Sequence, residues 1–166
     1  MANKPKVYAF IDSQNLNLGI RDCGWHLDFS KFYRFLRDTY HVQTAYLFIG
    51  HMPDNQKLYD YLAACGYTLV FKPTREYIKN GKKTTKGNVD AELVLYSSAK
   101  TIEEYDQAII VSGDGDFSCL YEYLEEKSKL AKILVPNKLK YSGLLKPFVK
   151  KIDYISTKRA KLEQQK

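Results

Sequence analysis

The chain has 166 residues, 45% hydrophobic and 27% charged, with a formal net charge of +7. That fits one globular domain with a real core, and no apolar run approaches the ~20 residues of a membrane span or the pattern of a signal peptide. Cys23, Cys65 and Cys119 are odd in number and lack CxxC spacing, so the expectation is a reducing cytoplasm rather than a disulfide framework or structural zinc.

Short apolar runs alternate with helical segments. Residues 7–11 read as a strand ending at Asp12, and Asn15 follows about one helical turn on. Residues 29–40 have helical spacing through Phe32, Phe35 and Leu36, with Asp28 or Ser30 as cap. A strand over 42–49 precedes a helix over 56–65, with Asp54 as its expected cap and Gly66 as its stop. After a third strand at 68–71 the rhythm breaks. Between Lys72 and Lys86 lie Arg75, Lys79, Lys82 and Lys83, opposed only by Glu76. This segment is expected to be a long loop or a small hairpin turning at Asn80-Gly81.

The alternation then resumes. A helix over 89–99 carries Asp90, a strand over 108–111 leads into Asp114 and Asp116, and a helix follows over 117–127. A strand over 131–135, a short element bracketed by Gly143 and Pro147, and an edge strand over 152–155 complete the domain, taken as residues 1–157. Residues 158–166 form a basic tail with little to bury, expected to be a solvated helix or disordered. Such βαβ alternation argues for a mostly parallel sheet covered by helices on both faces.

The chemistry gathers at strand ends. In an open α/β sheet, ligands bind outside the carboxyl ends of the strands near the point where strand order reverses. Asp12 and Asp114 end strands that are commonly neighbours there, and Gly113 and Gly115 allow a tight turn that aims Asp114 and Asp116 into one cleft. Converging carboxylates without arginines repel one another, and a divalent cation relieves this. Mg²⁺ or Mn²⁺ suits such an all-oxygen site. A basic surround suits a polyanion, because each neutralised phosphate releases counterions. Acidic metal site plus basic surround points to a metal-dependent nuclease. Each aspartate alone would pass for a helix cap or turn residue; the combination is what carries weight. His26, His41 and His51 lack metal-ligand spacing, and neither a Walker A loop nor a GxGxxG fingerprint is present.

Three segments, VYAFIDSQNLN (7–17), KGNVDAELVL (86–95) and AIIVSGDGDFSCLYEYL (108–124), together resemble the NYN domain of the PIN-like nuclease superfamily, in its bacterial LabA-like branch. The resemblance runs from about residue 6 to about residue 154. It implies a Rossmann-like three-layer sandwich and ribonuclease activity through Mg²⁺ or Mn²⁺. By motif, Asp12, Asn15, Asp90, Asp114 and Asp116 correspond to the catalytic set, with the four aspartates as metal ligands. Lys86 and Ser112 match motif positions and join Lys72, Arg75, Lys82 and Lys83 as expected substrate-binding residues, although the residues around Ser112 read more as a turn that its hydroxyl braces. The sequence departs at one place. Many relatives carry an acidic residue about two turns into the central helix, where this chain reads Leu95-Tyr96-Ser97.

The expected function is a ribonuclease acting on single-stranded or structured RNA, with DNA not excluded. A non-catalytic RNA-binding or regulatory module on the same fold is the alternative. A haloacid-dehalogenase-type phosphatase would need DxD after the first strand, but Gln14 stands there. No membrane partner is expected, and a homodimer stays open beside a monomer.

Overall fold

Alternation along β1 (Val7–Asp12) sets the layers. Val7, Ala9 and Ile11 enter one buried cluster and Phe10 another, because successive side chains of a strand leave on opposite faces. The computed structural model describes residues 3–73, 75–86 and 88–165, with the backbone alone for residues 75–77 and 83–86. Strands β2 (Val42–His51) and β3 (Thr68–Pro73) pair in turn on one side of β1. The chain then forms an antiparallel hairpin of β4 (Arg75–Lys79) and β5 (Lys82–Lys86), separate from the main sheet. Strands β6 (Gln107–Val111), β7 (Leu130–Val135) and β8 (Ile152–Tyr154) complete a six-stranded sheet of order β3-β2-β1-β6-β7-β8. Every pairing in that sheet is parallel.

Helices cover both faces, as a parallel sheet requires. On one face, α1 (Ser13–Arg21), α2 (Phe29–Tyr40) and α3 (Gln56–Cys65) bury Leu16, Ile20, Phe32, Leu36 and Leu62. On the other, α4 (Asp90–Leu95) and α5 (Ser118–Glu126) bury Leu93, Leu120 and Leu124. A 3₁₀ segment at Gly143–Lys151 adds Leu145 to the second face. Each such side chain contributes roughly 1.5–3 kcal/mol on leaving water. The expected three-layer sandwich is present. Among the described residues no helix is long and apolar enough to cross a membrane.

Four local expectations resolve differently from one another. Asp28 caps α2, its side chain accepting the Lys31 N–H at 3.0 Å. Asp54 does not cap α3. It sits inside a 3₁₀ turn at Pro53–Asn55 that feeds the helix, and Asn55 holds the cap position without a side-chain bond. The basic segment is the small hairpin rather than a long loop, with Asn80 (φ 54°) and Gly81 (φ 76°) in the left-handed conformations a tight hairpin turn demands. The C-terminal segment is neither disordered nor merely solvated. Helix α6 (Arg159–Leu162) places Leu162 fully inside the first cluster, and the Leu162 carbonyl accepts the Asp28 N–H at 2.9 Å.

Candidate metal centre and its cleft

From β1 the chain builds outward to β2 and β3, and from β6 it builds the opposite way, so the strand order reverses between β1 and β6. Ile11 pairs with Val111 as the last rung before the two strand ends. The loops diverge from that point and leave a cleft of 460 Å³ lined by Asp12, Asn15, Asn88, Asp90 and Asp114, among others.

Hydrogen bonds lock the two ends together. Asp12 Oδ1 accepts the Asn15 N–H at 3.1 Å, capping α1. Asn15 Oδ1 accepts the Gly113 N–H at 2.8 Å, which ties α1 to the end of β6. Asp114 Oδ1 accepts the Asp116 N–H at 2.9 Å and opens the 3₁₀ turn Gly115–Phe117. A Cβ on Gly115 would lie 2.8 Å from Ser142 Cβ, so this turn closes only over a hydrogen. Asp90 donates its N–H to Asn88 Oδ1 at 2.8 Å at the start of α4.

Asp90, Asp114 and Asp116 each bring a carboxylate oxygen within 4.8 Å of the others. Asp12 stands outside that trio but lines the same cleft and is 6% exposed. Burial raises its carboxyl from 3.8; the Asn15 N–H pulls it back and the charges of Asp90 and Asp114 push it further, to about 6. Asp90 is raised too, by burial first and then by Asp114. Lys72 acts the other way on Asp90, but its ammonium pairs with Glu92 Oε2 at 3.5 Å. Among the described residues, Glu92 Oε2 is otherwise buried without a hydrogen bond. An all-oxygen donor set whose charges raise the proton affinity of Asp12 and Asp90 fits a hard divalent cation such as Mg²⁺ or Mn²⁺.

The fold therefore brings Asp90, Asp114 and Asp116 together, with Asp12 and Asn15 beside them. Asn15 acts through its backbone-tying amide. Ser112, matched by motif to a substrate contact but read locally as a turn brace, is fully buried, and its Oγ accepts the Asp114 N–H at 3.1 Å, as a brace would. Lys82 is exposed on the hairpin. The side chains of Arg75, Lys83 and Lys86 lie outside the described residues. Tyr96, at the departing position, packs against Tyr46 and Phe48 with ring centroids 5.7 and 5.5 Å away. Sequence reasoning missed Asn88 and Lys140, which line the cleft. Asn88 carried a signal, two residues before Asp90 at a helix start. Lys140 carried none, since only the loop after β7 brings it there.

Comparison with known proteins agrees with this architecture. Residues 6–154 match the NYN domain. The chain is 31% identical over 135 residues to the low amplitude and bright protein LabA of Synechococcus elongatus, covering 76% of this chain and 72% of that protein. It superposes on the crystal structure of a Vibrio parahaemolyticus protein of unknown function with a TM-score of 0.72. That match covers 93% of this chain and 96% of the other at 24% identity, which speaks for the fold. With its motifs, its parallel sheet and its acidic strand-end cluster, the chain belongs to the NYN domain family, as a LabA-like member.

Proposed function

We propose that this chain is a divalent-metal-dependent ribonuclease of the cytoplasm that hydrolyses RNA phosphodiester bonds at the cleft between β1 and β6. The observation that carries the proposal is the convergence of Asp90, Asp114 and Asp116 within 4.8 Å, with the buried Asp12 beside them. A site that only bound RNA would gain nothing from holding carboxylates against their own repulsion. Asp90, Asp114 and Asp116, joined by Asp12, would hold Mg²⁺ or Mn²⁺. The bound ion supplies Lewis acidity toward a phosphoryl oxygen and lowers the proton affinity of water. The chain's own residues do the rest. Asn15 keeps the two strand ends in register through Gly113, and Ser112 and Gly115 hold the turn that aims Asp114. Lys140 offers an ammonium to a backbone phosphate at the cleft wall. The β4–β5 hairpin, which ends at Lys86 two residues before the cleft-lining Asn88, brings Lys82 and, in the sequence, Arg75, Lys83 and Lys86 as further basic residues, with Lys72 at the end of β3.

The test is cleavage of end-labelled single-stranded RNA and DNA by the purified chain, in EDTA and then in Mn²⁺ or Mg²⁺. Metal-dependent RNA cleavage that Asp114→Asn abolishes, with RNA affinity little changed, is the expected result. Turnover unchanged in that variant sinks the assignment. One observation favours a second reading, an RNA-binding regulatory module. Tyr96 fills an aromatic layer where many relatives place an acid, and the name of the LabA relative specifies no reaction. RNA binding without cleavage in either metal would decide for it.

A further inference from the structure

A second pocket, of 290 Å³, opens beside the acidic cleft and shares Gln14 and Val89 with it. It lies at the carboxyl end of β2, one strand over from Asp12. The start of α1 supplies Gln14 and Asn17, the start of α2 supplies Phe29, and Ile49 and Leu58 add apolar wall. None of its described lining residues is ionisable, whereas the acidic cleft carries Asp12, Asp22, Asp90, Asp114 and Lys140. With no charged side chain among its described lining residues, the pocket offers a phosphate no ion pair. A pocket with apolar walls and an aromatic ring suits a flat, uncharged heterocycle.

The polar groups point the same way. The side-chain amides of Gln14 and Asn17 make no hydrogen bond to another described residue. A carboxamide presents a donor and an acceptor side by side, the complement of a base edge. Single-stranded RNA is read by splaying out a base, stacking it on an aromatic side chain and hydrogen-bonding its edge.

We propose that this pocket is a nucleobase subsite, holding the base of a nucleotide next to the phosphate in the acidic cleft and selecting which base is accepted. Phe29 provides the stacking surface, Asn17 and Gln14 read the edge, and Leu58 forms the outer wall. Which phosphate is then cut rests on the ribonuclease assignment above; that a nucleotide binds does not.

The experiment is titration of the ¹⁵N-labelled full chain with each of the four nucleoside 5′-monophosphates in EDTA, followed by the side-chain amide signals of Asn17 and Gln14. Leu58 is 42% exposed, so Leu58→Trp fills the pocket from its rim. Asn17→Ala removes an edge-reading amide without adding bulk. One monophosphate is expected to bind more tightly than the others and to shift both amides. Leu58→Trp is expected to weaken it about tenfold, the loss of one stacked base, and Asn17→Ala to level the preference among bases. On RNA with Mn²⁺, cleavage positions in both variants spread over more sequences than in the parent chain. Nucleotide binding with these variant effects but no cleavage would retain the subsite and overturn the ribonuclease. Cleavage with unaltered base preference in both folded variants would retain the ribonuclease and overturn the subsite. Monophosphates that leave both amide signals unmoved would also overturn it.

Discussion

Replacing Asp12 by Asn removes a charge from the least exposed of the four cleft aspartates while keeping its cap on α1, since Asn is as good an N-cap as Asp. The Asp12 carboxyl rises from 3.8 in its ordinary environment to about 6 in the fold. The folded state therefore holds the proton more tightly than the unfolded chain does. Below the unfolded value both states are protonated and the site costs nothing. As pH climbs from about 4 to about 6, the unfolded chain ionises first and stability falls. Above the folded value the whole penalty is in force. A shift of about 2 units corresponds to roughly 3 kcal/mol at most. In EDTA, Asp12→Asn is thus expected to be more stable than the parent at pH 7, by roughly 1–3 kcal/mol, and equally stable near pH 3.5. Urea denaturation at pH 3.5, 5 and 7 measures both. Saturating Mn²⁺ should reverse the order at pH 7, because the ion favours the charged form and adds stability in proportion to the logarithm of its concentration over Kd. No gain at pH 7, or equal pH slopes in the two proteins, would refute the argument that burial and neighbouring carboxylates load this site.

Three further substitutions probe the frame around it. Leu162→Ala should cost about 2 kcal/mol in thermal or urea unfolding, because Leu162 is fully buried; a neutral result would show the C-terminal helix to be detached in solution. Tyr121 is fully buried and its hydroxyl has no partner among the described residues, so Tyr121→Phe should stabilise the metal-free chain by about 1 kcal/mol. A loss of stability there would reveal a partner for the hydroxyl. Gly115→Ala must displace Ser142, which is pinned by its N–H to the Gly113 carbonyl at 3.1 Å and by the Leu144 N–H to its Oγ at 3.2 Å. That should cost about 1–3 kcal/mol and lower Mn²⁺ affinity in calorimetry, since the turn that aims Asp114 shifts.

The strands were legible because a parallel sheet buries both faces, so each strand is a short unbroken apolar run between turn residues. Helix α1 was not, although Asn15 was placed one turn beyond Asp12. Its segment SQNLNLGIR mixes polar residues and Gly19 with only Leu16 and Ile20 as buried anchors, a pattern too sparse to stand out. The C-terminal helix was hidden for a related reason, as Leu162 is a lone apolar residue among charged ones. Ser112 carried two readings, a brace of its turn and a motif-matched substrate contact, because a hydroxyl inside a motif looks the same whether it faces substrate or its own turn.

By itself the sequence determined the layered α/β class, the strand-end aspartates and Asn80-Gly81 as the place where the basic segment could turn. These depend on local periodicity and on the conformational demands of single residues. Only the tertiary structure decided which carboxylates converge, that Asp12 is buried enough to have its proton affinity raised, and that Lys140 reaches the cleft. It also decided that an uncharged pocket lies one strand away. Those outcomes depend on strand order and on desolvation, and both arise from residues far apart in the chain packing against one another.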